Sequence, residues 1–248
     1  MKALLCSNFR YMGKFFLPHL NLDSKKELNI LFITYALDNE EYMNQNKKML
    51  LDNLNIKNFI ELQPEYGFED EIEVIFVIGG ITDNLIEKLF EYKQFEKIKE
   101  LILEKETIYI AESAGCDFAG DYINYDLYEG IPRKYSLLKK YGENVFDGLR
   151  LINKMIITHA SEYRIRILNN GQYCRIPYSK KFVSDYLKTI ALLDESNIEY
   201  ETIGNNEALL IKDDNYEKIS YDWSKFPIKE VELSEYEKKL QNQIKINW

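Results

Sequence analysis

The chain has 248 residues, 46% of them hydrophobic, which suits one large α/β domain or two small ones with a substantial core. Its formal net charge of −9 argues against nucleic-acid binding, which normally requires a basic surface. The three cysteines, Cys6, Cys116 and Cys174, have neither paired nor CxxC spacing, so we expect neither a disulfide framework nor a metal site.

Membrane and export signals are absent from the sequence pattern. No apolar run approaches the roughly 18 residues that a membrane span needs, and the N-terminal apolar run is too short for the core of a signal peptide. We therefore expect a cytoplasmic protein, monomeric or homodimeric, without membrane or nucleic-acid partners.

Apolar runs and amphipathic segments alternate through the first half of the chain. The apolar runs are continuous rather than alternating, which is typical of strands covered by helices on both faces. This order predicts an α/β fold with a doubly wound, mainly parallel sheet flanked by helices. Strands are predicted at 3–6, 29–35, 55–62, 73–78 and 107–110, and helices at 15–20, 40–54, from Thr82 onward, and at 98–103.

The second half is less regular. Tyrosines, charges and turn residues at 121–148 predict surface excursions, and an apolar run predicts a strand at 154–159. A basic segment at 161–168 and a turn at Gly171 follow, then a helix at 178–193 and a hairpin of strands 200–203 and 208–211. The charged tail, 221–248, carries a predicted surface helix at 232–246. Without a repeat or linker, the chain is predicted to form a single domain over 1–248.

A serine lies between the strand at 107–110 and the helix expected to follow it. Ser113 has small residues two positions away on each side, Ala111 and Gly115, as a nucleophile elbow requires for its sharp turn. A simple helix N-cap has the same sequence pattern. These residues alone leave both interpretations open.

Two glycines, Gly79 and Gly80, end the clearest strand of the chain. Backbone N–H groups at the carboxyl end of an open α/β sheet commonly bind ligands. The spacing fits neither the dinucleotide fingerprint nor the P-loop, so no nucleotide cofactor is expected. The pair predicts either an oxyanion hole, shared with the Ala114 N–H, or only a tight turn.

One of the two histidines, His159, ends the strand predicted at 154–159. A serine hydroxyl needs a base to attack a carbonyl, and histidine is the side chain that titrates near neutrality. We therefore predict that His159 and Ser113 form a catalytic pair. The other histidine, His19, is predicted to be structural or exposed.

Four segments occur in the order and spacing of the S51 serine peptidases, over roughly residues 1–215. This family comprises α-aspartyl dipeptidase (peptidase E) and cyanophycinase, and it is related in fold to the class I glutamine amidotransferases. The resemblance implies a flavodoxin-like three-layer sandwich and a serine peptidase acting on short peptides, Asp-X dipeptides included, or on small amides, without a cofactor. The segments are Gly79-Gly80-Ile81-Thr82, Glu112-Ser113-Ala114-Gly115, Thr158-His159 and Asn206-Glu207-Ala208-Leu209-Leu210-Ile211.

The resemblance also implies residue roles. Ser113 would be the nucleophile, His159 its base, and Gly80 and Ala114 the oxyanion N–H donors. The acid that orients the histidine differs between branches of the family.

One branch has a carboxylate shortly after the serine helix, for which Asp126 is the nearest match. Cyanophycinase-like members use a glutamate in an Asp-Glu-x-Ala-hydrophobic motif, to which we match Glu207. We favour Glu207 slightly.

Substrate contacts are expected from two arginines just past the histidine. Arg164 and Arg166 could pair bidentately with a substrate aspartyl carboxylate or carboxy terminus, and Gly79 is expected to line the same site. Solvated surface charges are the alternative reading of both arginines.

Departures from the family pattern keep two rival functions open. Ile81 replaces the family's asparagine, which favours a non-catalytic protein that binds a peptide or small metabolite. An amidotransferase-like enzyme would need cysteine at the elbow, whereas Cys116 lies three residues beyond Ser113.

Overall fold

A computed structural model describes residues 1–68, 71–105, 107–123, 131–167, 173–213 and 215–222. Their strands are β1 Lys2–Cys6, β2 Leu28–Ile33, β3 Ile56–Glu61, β4 Val74–Val77, β5 Ile108–Glu112, β6 Met155–Thr158, β7 Tyr163–Ile167, β8 Tyr173–Pro177, β9 Tyr200–Ile203, β10 Glu207–Lys212 and β11 Asn215–Ser220. Their helices are α1 Phe9–Phe16, α2 Glu40–Leu51, α3 Thr82–Glu91, α4 Phe95–Leu103, α5 Ala114–Ala119, α6 Ile131–Tyr141 and α7 Lys180–Glu195.

The central sheet has the strand order β11-β10-β1-β5-β4-β2-β3. Five of these strands, β1, β5, β4, β2 and β3, are parallel to one another. The other two, β10 and β11, are antiparallel additions on the β1 side. The predicted α/β fold with a mainly parallel, helix-flanked sheet is confirmed. In such a sheet, the loops that follow β1, β4 and β5 meet at one edge.

Helices cover both faces of this sheet, which explains the continuous apolar runs. In β5, Tyr109 and Ala111 pack on the face that carries α3, α4, α5 and β6, whereas Ile110 packs on the face that carries α1 and α2. Because both faces of these strands are buried, polar residues do not alternate with apolar ones along them. None of the helices in the described ranges is long and apolar enough to cross a membrane.

The helix predicted at 15–20 is only partly right. α1 begins earlier, at Phe9, and ends at Phe16, where a 3₁₀ turn over Leu17–Leu20 takes its place. Pro18 lies in that turn and has no N–H to continue an α-helix, so the chain tightens there.

The prediction of surface excursions at 121–148 is wrong in part. Residues Ile131–Tyr141 form α6, and Leu137 and Val145 are buried in the core. Asp126, one of the two predicted acids, lies outside the described residues, as do Gly171 and the helix predicted at 232–246.

The hairpin predicted at 200–211 is also wrong. β9 instead pairs in parallel with β6, and β10 pairs with β1 and β11 in the central sheet. The apolar run Ala208–Ile211 is buried and suits the sheet interior, so the intervening turn carries the chain from one sheet to the other. The segment after His159 forms a hairpin of its own, β7 with β8.

A buried carboxyl group links three elements near the sheet edge at which the loops after β1, β4 and β5 meet. Asp117 of α5 accepts hydrogen bonds from Thr82 Oγ1 at the start of α3 (3.0 Å) and from Thr158 Oγ1 at the end of β6 (3.3 Å). Burial raises the pKa of Asp117 from 3.8 to about 7, and the two threonine hydroxyls oppose that rise.

Asp117→Asn is expected to change how stability depends on pH. The folded protein keeps the Asp117 proton up to about pH 7, whereas the unfolded chain loses it near pH 3.8. The unfolded state therefore binds fewer protons between these values, and wild-type stability falls as pH rises, by up to about 4 kcal/mol. An asparagine at position 117 still bridges both threonines, but it does not titrate, so this fall in stability with rising pH disappears.

The measurement is urea denaturation from pH 4 to pH 8. Asp52→Asn, at an exposed site on the end of α2, provides the matched control and should keep the wild-type slope. Parallel curves for Asp117→Asn and wild type would contradict the prediction.

Candidate active site

Ser113 occupies a strained backbone conformation between β5 and α5. Its φ of 46° and ψ of −105° lie where a non-glycine residue is rare. The residues two positions before and after Ser113 are small for a steric reason. A Cβ on Gly115 would lie 3.0 Å from Ala111 Cβ and 2.8 Å from Val77 Cβ, which is too close. This is the sharp turn of a nucleophile elbow, which projects the hydroxyl from the sheet edge.

The structure brings Ser113 and His159 together. Ser113 Oγ lies 2.8 Å from His159 Nε2, within hydrogen-bond distance. The two residues come from different parts of the fold. Ser113 follows a central strand of the sheet, whereas His159 follows β6, which packs against α5. The arrangement suits transfer of the serine proton to the histidine.

The other ring nitrogen of His159 contacts an asparagine. Nδ1 lies 2.9 Å from Oδ1 of Asn205, which is fully buried in the turn between β9 and β10. The same Oδ1 accepts a hydrogen bond from Asn8 Nδ2 (3.0 Å). A neutral amide therefore holds the position that a carboxylate occupies in most serine triads.

The orientation of the Asn205 amide follows from its other contacts. Nδ2 donates to the Tyr163 carbonyl (2.6 Å) and to the Tyr178 hydroxyl (3.0 Å), so Oδ1 must face His159. The imidazole then carries its proton on Nδ1 and leaves Nε2 free to accept from Ser113. This is the tautomer that general-base catalysis requires.

The predicted acid Glu207 does not contact His159. Its Oε2 accepts from the Gly204 N–H (2.8 Å) and its Oε1 from the Ser220 hydroxyl (3.4 Å). Glu207 closes the turn that presents Asn205, and it stands two residues away from the histidine's partner.

Asn205 was missed, although the sequence contains a signal for it. Counting back from Ala208, the Asp-Glu-x-Ala pattern places its acidic pair on Asn205 and Asn206 and its variable position on Glu207. In this register the motif's glutamate falls on Asn206 and its aspartate on Asn205, so the signal points to the Asn205-Asn206 turn, and matching by residue type moved it one residue to Glu207.

The loop after β1 fixes the backbone of His159 through hydrogen bonds. The His159 N–H donates to Ser7 Oγ (3.0 Å), and Ser7 Oγ donates to the Ile203 carbonyl (2.7 Å). These bonds hold His159 in a left-handed conformation with a φ of 59°. Ser7 and Asn8 are buried polar residues directly after β1.

Gly79 and Gly80 lie beside the serine, as the sequence predicts. A Cβ on Gly79 would lie 3.1 Å from Ser113 Cβ, and Gly80 has a φ of 146° with the Ala36 carbonyl 2.4 Å from where its Cβ would be. Side chains are therefore excluded at both positions. Within the described part of the chain, the N–H groups of Gly80 and Ala114 donate to no protein acceptor.

A buried glutamate precedes the serine. Glu112 Oε2 accepts from Tyr42 Oη (2.7 Å) and Asn46 Nδ2 (3.1 Å), and Oε1 accepts from the Arg10 N–H (3.4 Å). Burial raises the pKa of Glu112, and the nearby Arg10 charge and these hydrogen bonds oppose the rise.

Two cations act on the histidine. Burial lowers the pKa of His159, the Asn205 hydrogen bond opposes that effect, and the charges of Arg10 and Arg164 lower it further. Arg164 lies in β7 with its guanidinium 5.9 Å from the Tyr178 ring, so it is near the site as predicted. Arg166 lies two residues along the same strand, where it pairs with Cys174.

The cysteine reading is not supported by the structure. Cys116 is fully buried, and its thiol contacts the Cys6 and Ala111 carbonyls. Burial raises the pKa of this thiol well above its usual value, so a reactive thiolate is disfavoured.

Comparisons with known proteins agree with the fold and with the family resemblance. The sequence model of peptidase family S51 matches residues 6–219. A Drosophila melanogaster protein named as a probable alpha-aspartyl dipeptidase is 30% identical over 124 residues, or 47% of this chain and 52% of that protein. The chain thus matches about half the length of this curated relative.

A solved structure shares the architecture. The crystal structure of a peptidase E candidate from Listeria monocytogenes EGD-e superposes with a TM-score of 0.59 at 20% identity, and the match covers 89% of this chain and 98% of that one. At this identity the likeness concerns the fold. The family match extends over most of the chain, and it confirms the resemblance inferred from the four segments: this protein belongs to peptidase family S51.

Proposed function

We propose that this protein is a serine peptidase that hydrolyses short peptides, Asp-X dipeptides among them, through an acyl-enzyme. The observation that carries the proposal is the 2.8 Å contact between Ser113 Oγ, on its strained elbow, and His159 Nε2. Family membership and the named dipeptidase relative support the substrate class.

In the proposed mechanism, His159 Nε2 takes the Ser113 proton as Oγ attacks the peptide carbonyl. The N–H groups of Gly80 and Ala114 bind the oxyanion, which is typically worth on the order of a hundredfold in rate per donor. His159 then protonates the leaving amine, and water hydrolyses the acyl-enzyme by the reverse proton path.

Asn205 is proposed to position the histidine rather than to neutralise it. Its Oδ1 accepts a hydrogen bond from the protonated Nδ1 of His159, which fixes both the tautomer and the orientation of the ring. An amide cannot compensate the imidazolium charge as a carboxylate does. The low pKa of His159 suits this arrangement, since the base stays neutral at neutral pH.

A cytoplasmic location is also proposed. Cys6, Cys116 and Cys174 are all free and buried, which is compatible with a reducing compartment. The assembly state proposed from the sequence, monomer or homodimer, stays a prediction.

The substrate proposal is tested with a dipeptide panel. Wild type is expected to hydrolyse Asp-X, compared with Glu-X, Ala-X and β-aspartyl-X, and Ser113→Ala should lose at least about 10⁴-fold in kcat because the nucleophile is gone. Ser184→Ala, at an exposed position of α7, is the matched control and should retain wild-type rates. Equal hydrolysis by Ser113→Ala would contradict Ser113 as the nucleophile, and no hydrolysis by wild type would contradict the proposal and favour the binding-protein alternative.

A second prediction separates Asn205 from Glu207. Asn205→Ala should lower kcat by on the order of a hundredfold or more, because the histidine loses its tautomer and orientation. Glu207→Gln keeps an oxygen for the Gly204 N–H and should stay within about threefold of wild type. The measurement is kcat on the best panel substrate, with melting temperatures as a folding check. A large loss in Glu207→Gln beside a small one in Asn205→Ala would restore Glu207 as the acid.

A further inference from the structure

Arg10 lies at the active edge, although nothing in the mechanism above uses its side chain. It follows the β1 loop at the start of α1, three residues after Ser7. Its guanidinium carbon lies 4.1 Å from the centroid of the Tyr42 ring and 4.6 Å from that of Tyr11. Two aromatic rings therefore hold the guanidinium in place and leave its N–H groups for another partner.

The charge of Arg10 has no paired carboxylate in the described part of the chain. Its Nε is buried without a hydrogen-bond partner. The carboxylate of Glu112 receives the Arg10 backbone N–H rather than its guanidinium, and its other hydrogen bonds come from Tyr42 and Asn46. A buried donor without an acceptor is costly, and a ligand carboxylate would satisfy it.

Arg10 is also close to the reacting groups. Tyr42, on which it stacks, places its hydroxyl 2.7 Å from the position that a Cβ on Gly79 would take, beside Ser113. The Arg10 charge lowers the pKa of the Glu112 carboxyl, next to Ser113 in the chain, and the pKa of the His159 imidazole, which contacts Ser113. A group bound to Ser113 would thus lie within reach of this guanidinium.

The layers of the fold indicate which part of a peptide meets Arg10. In the proposed mechanism the carbonyl oxygen faces the N–H groups of Gly80 and Ala114, and the leaving amine must lie near His159, which follows β6 on the face that carries α5. The acyl side of the peptide is left with the face of α1 and α2, where Arg10 and Tyr42 lie.

We infer that Arg10 binds the side-chain carboxylate of the substrate residue on the acyl side of the scissile bond. This inference rests on the proposed peptidase function and names one determinant of its preference for acidic residues.

The test compares two substrates that differ only in the acyl-side carboxylate, Asp-Leu and Asn-Leu. Arg10→Gln should lower kcat/KM for Asp-Leu by on the order of tenfold to a hundredfold and leave Asn-Leu within about threefold, because only the first has the carboxylate. Arg10→Lys should fall between them, since it keeps the charge but not the fork. Lys14→Gln removes a charge one turn along α1 and should match wild type on both substrates.

A binding measurement separates this inference from the proposed function. Calorimetry of Asp-Leu with Ser113→Ala, alone and combined with Arg10→Gln, reads the contact without turnover, and the double variant should bind on the order of tenfold or more weakly. Arg10-dependent binding without wild-type hydrolysis would overturn the peptidase proposal and leave Arg10 as the residue that binds the carboxylate of an acidic peptide ligand. Equal losses on Asp-Leu and Asn-Leu, an unchanged affinity in the double variant, or no binding of Asp-Leu to Ser113→Ala would overturn the inference.

Discussion

The hydrogen bond between His159 Nδ1 and Asn205 Oδ1 organises the candidate site. It decides which ring nitrogen faces Ser113, and it holds only because Asn205 is itself fixed by Asn8, Tyr163 and Tyr178. Every polar atom of the buried amide is thereby satisfied, which a low-dielectric interior demands. The relay joins the turn before β10, the loop after β1 and the β7 hairpin, so the site depends on the whole sheet edge.

A neutral amide in this position has an electrostatic logic. Arg10 and Arg164 lie near the histidine, and burial together with both charges lowers its pKa. The two cations disfavour the imidazolium, and a carboxylate beside His159 would also compete for them with the acidic substrate proposed above. The bound substrate would supply the negative charge that the relay lacks.

Much of the fold and part of the site could be predicted from the sequence, for local reasons. Continuous apolar runs identify strands buried on both faces, and the small residues around Ser113 are a steric requirement visible in a few letters. His159 could be assigned because the chain has two histidines and one ends a strand.

What failed depended on contacts between distant segments. The strands at 200–203 and 207–212 look like a hairpin because a Gly-Asn-Asn turn separates them, and only the sheet shows that their partners are β6 and β1. Asn205 escaped because its role arises from where that turn meets the β1 loop. α6 was missed because lysines, an arginine and tyrosines make up much of its sequence, and the burial of Leu137 depends on packing against distant segments.

The central claim is that the elbow serine is an activated nucleophile, and covalent labelling tests it without knowledge of the substrate. A fluorophosphonate reacts with serines that a neighbouring base activates, and peptide mass mapping locates the adduct. The account predicts one adduct, on Ser113, in wild type, with no labelling of Ser113→Ala and labelling slowed on the order of a hundredfold in His159→Gln. An unlabelled wild type, or equal labelling of Ser113→Ala, would contradict it.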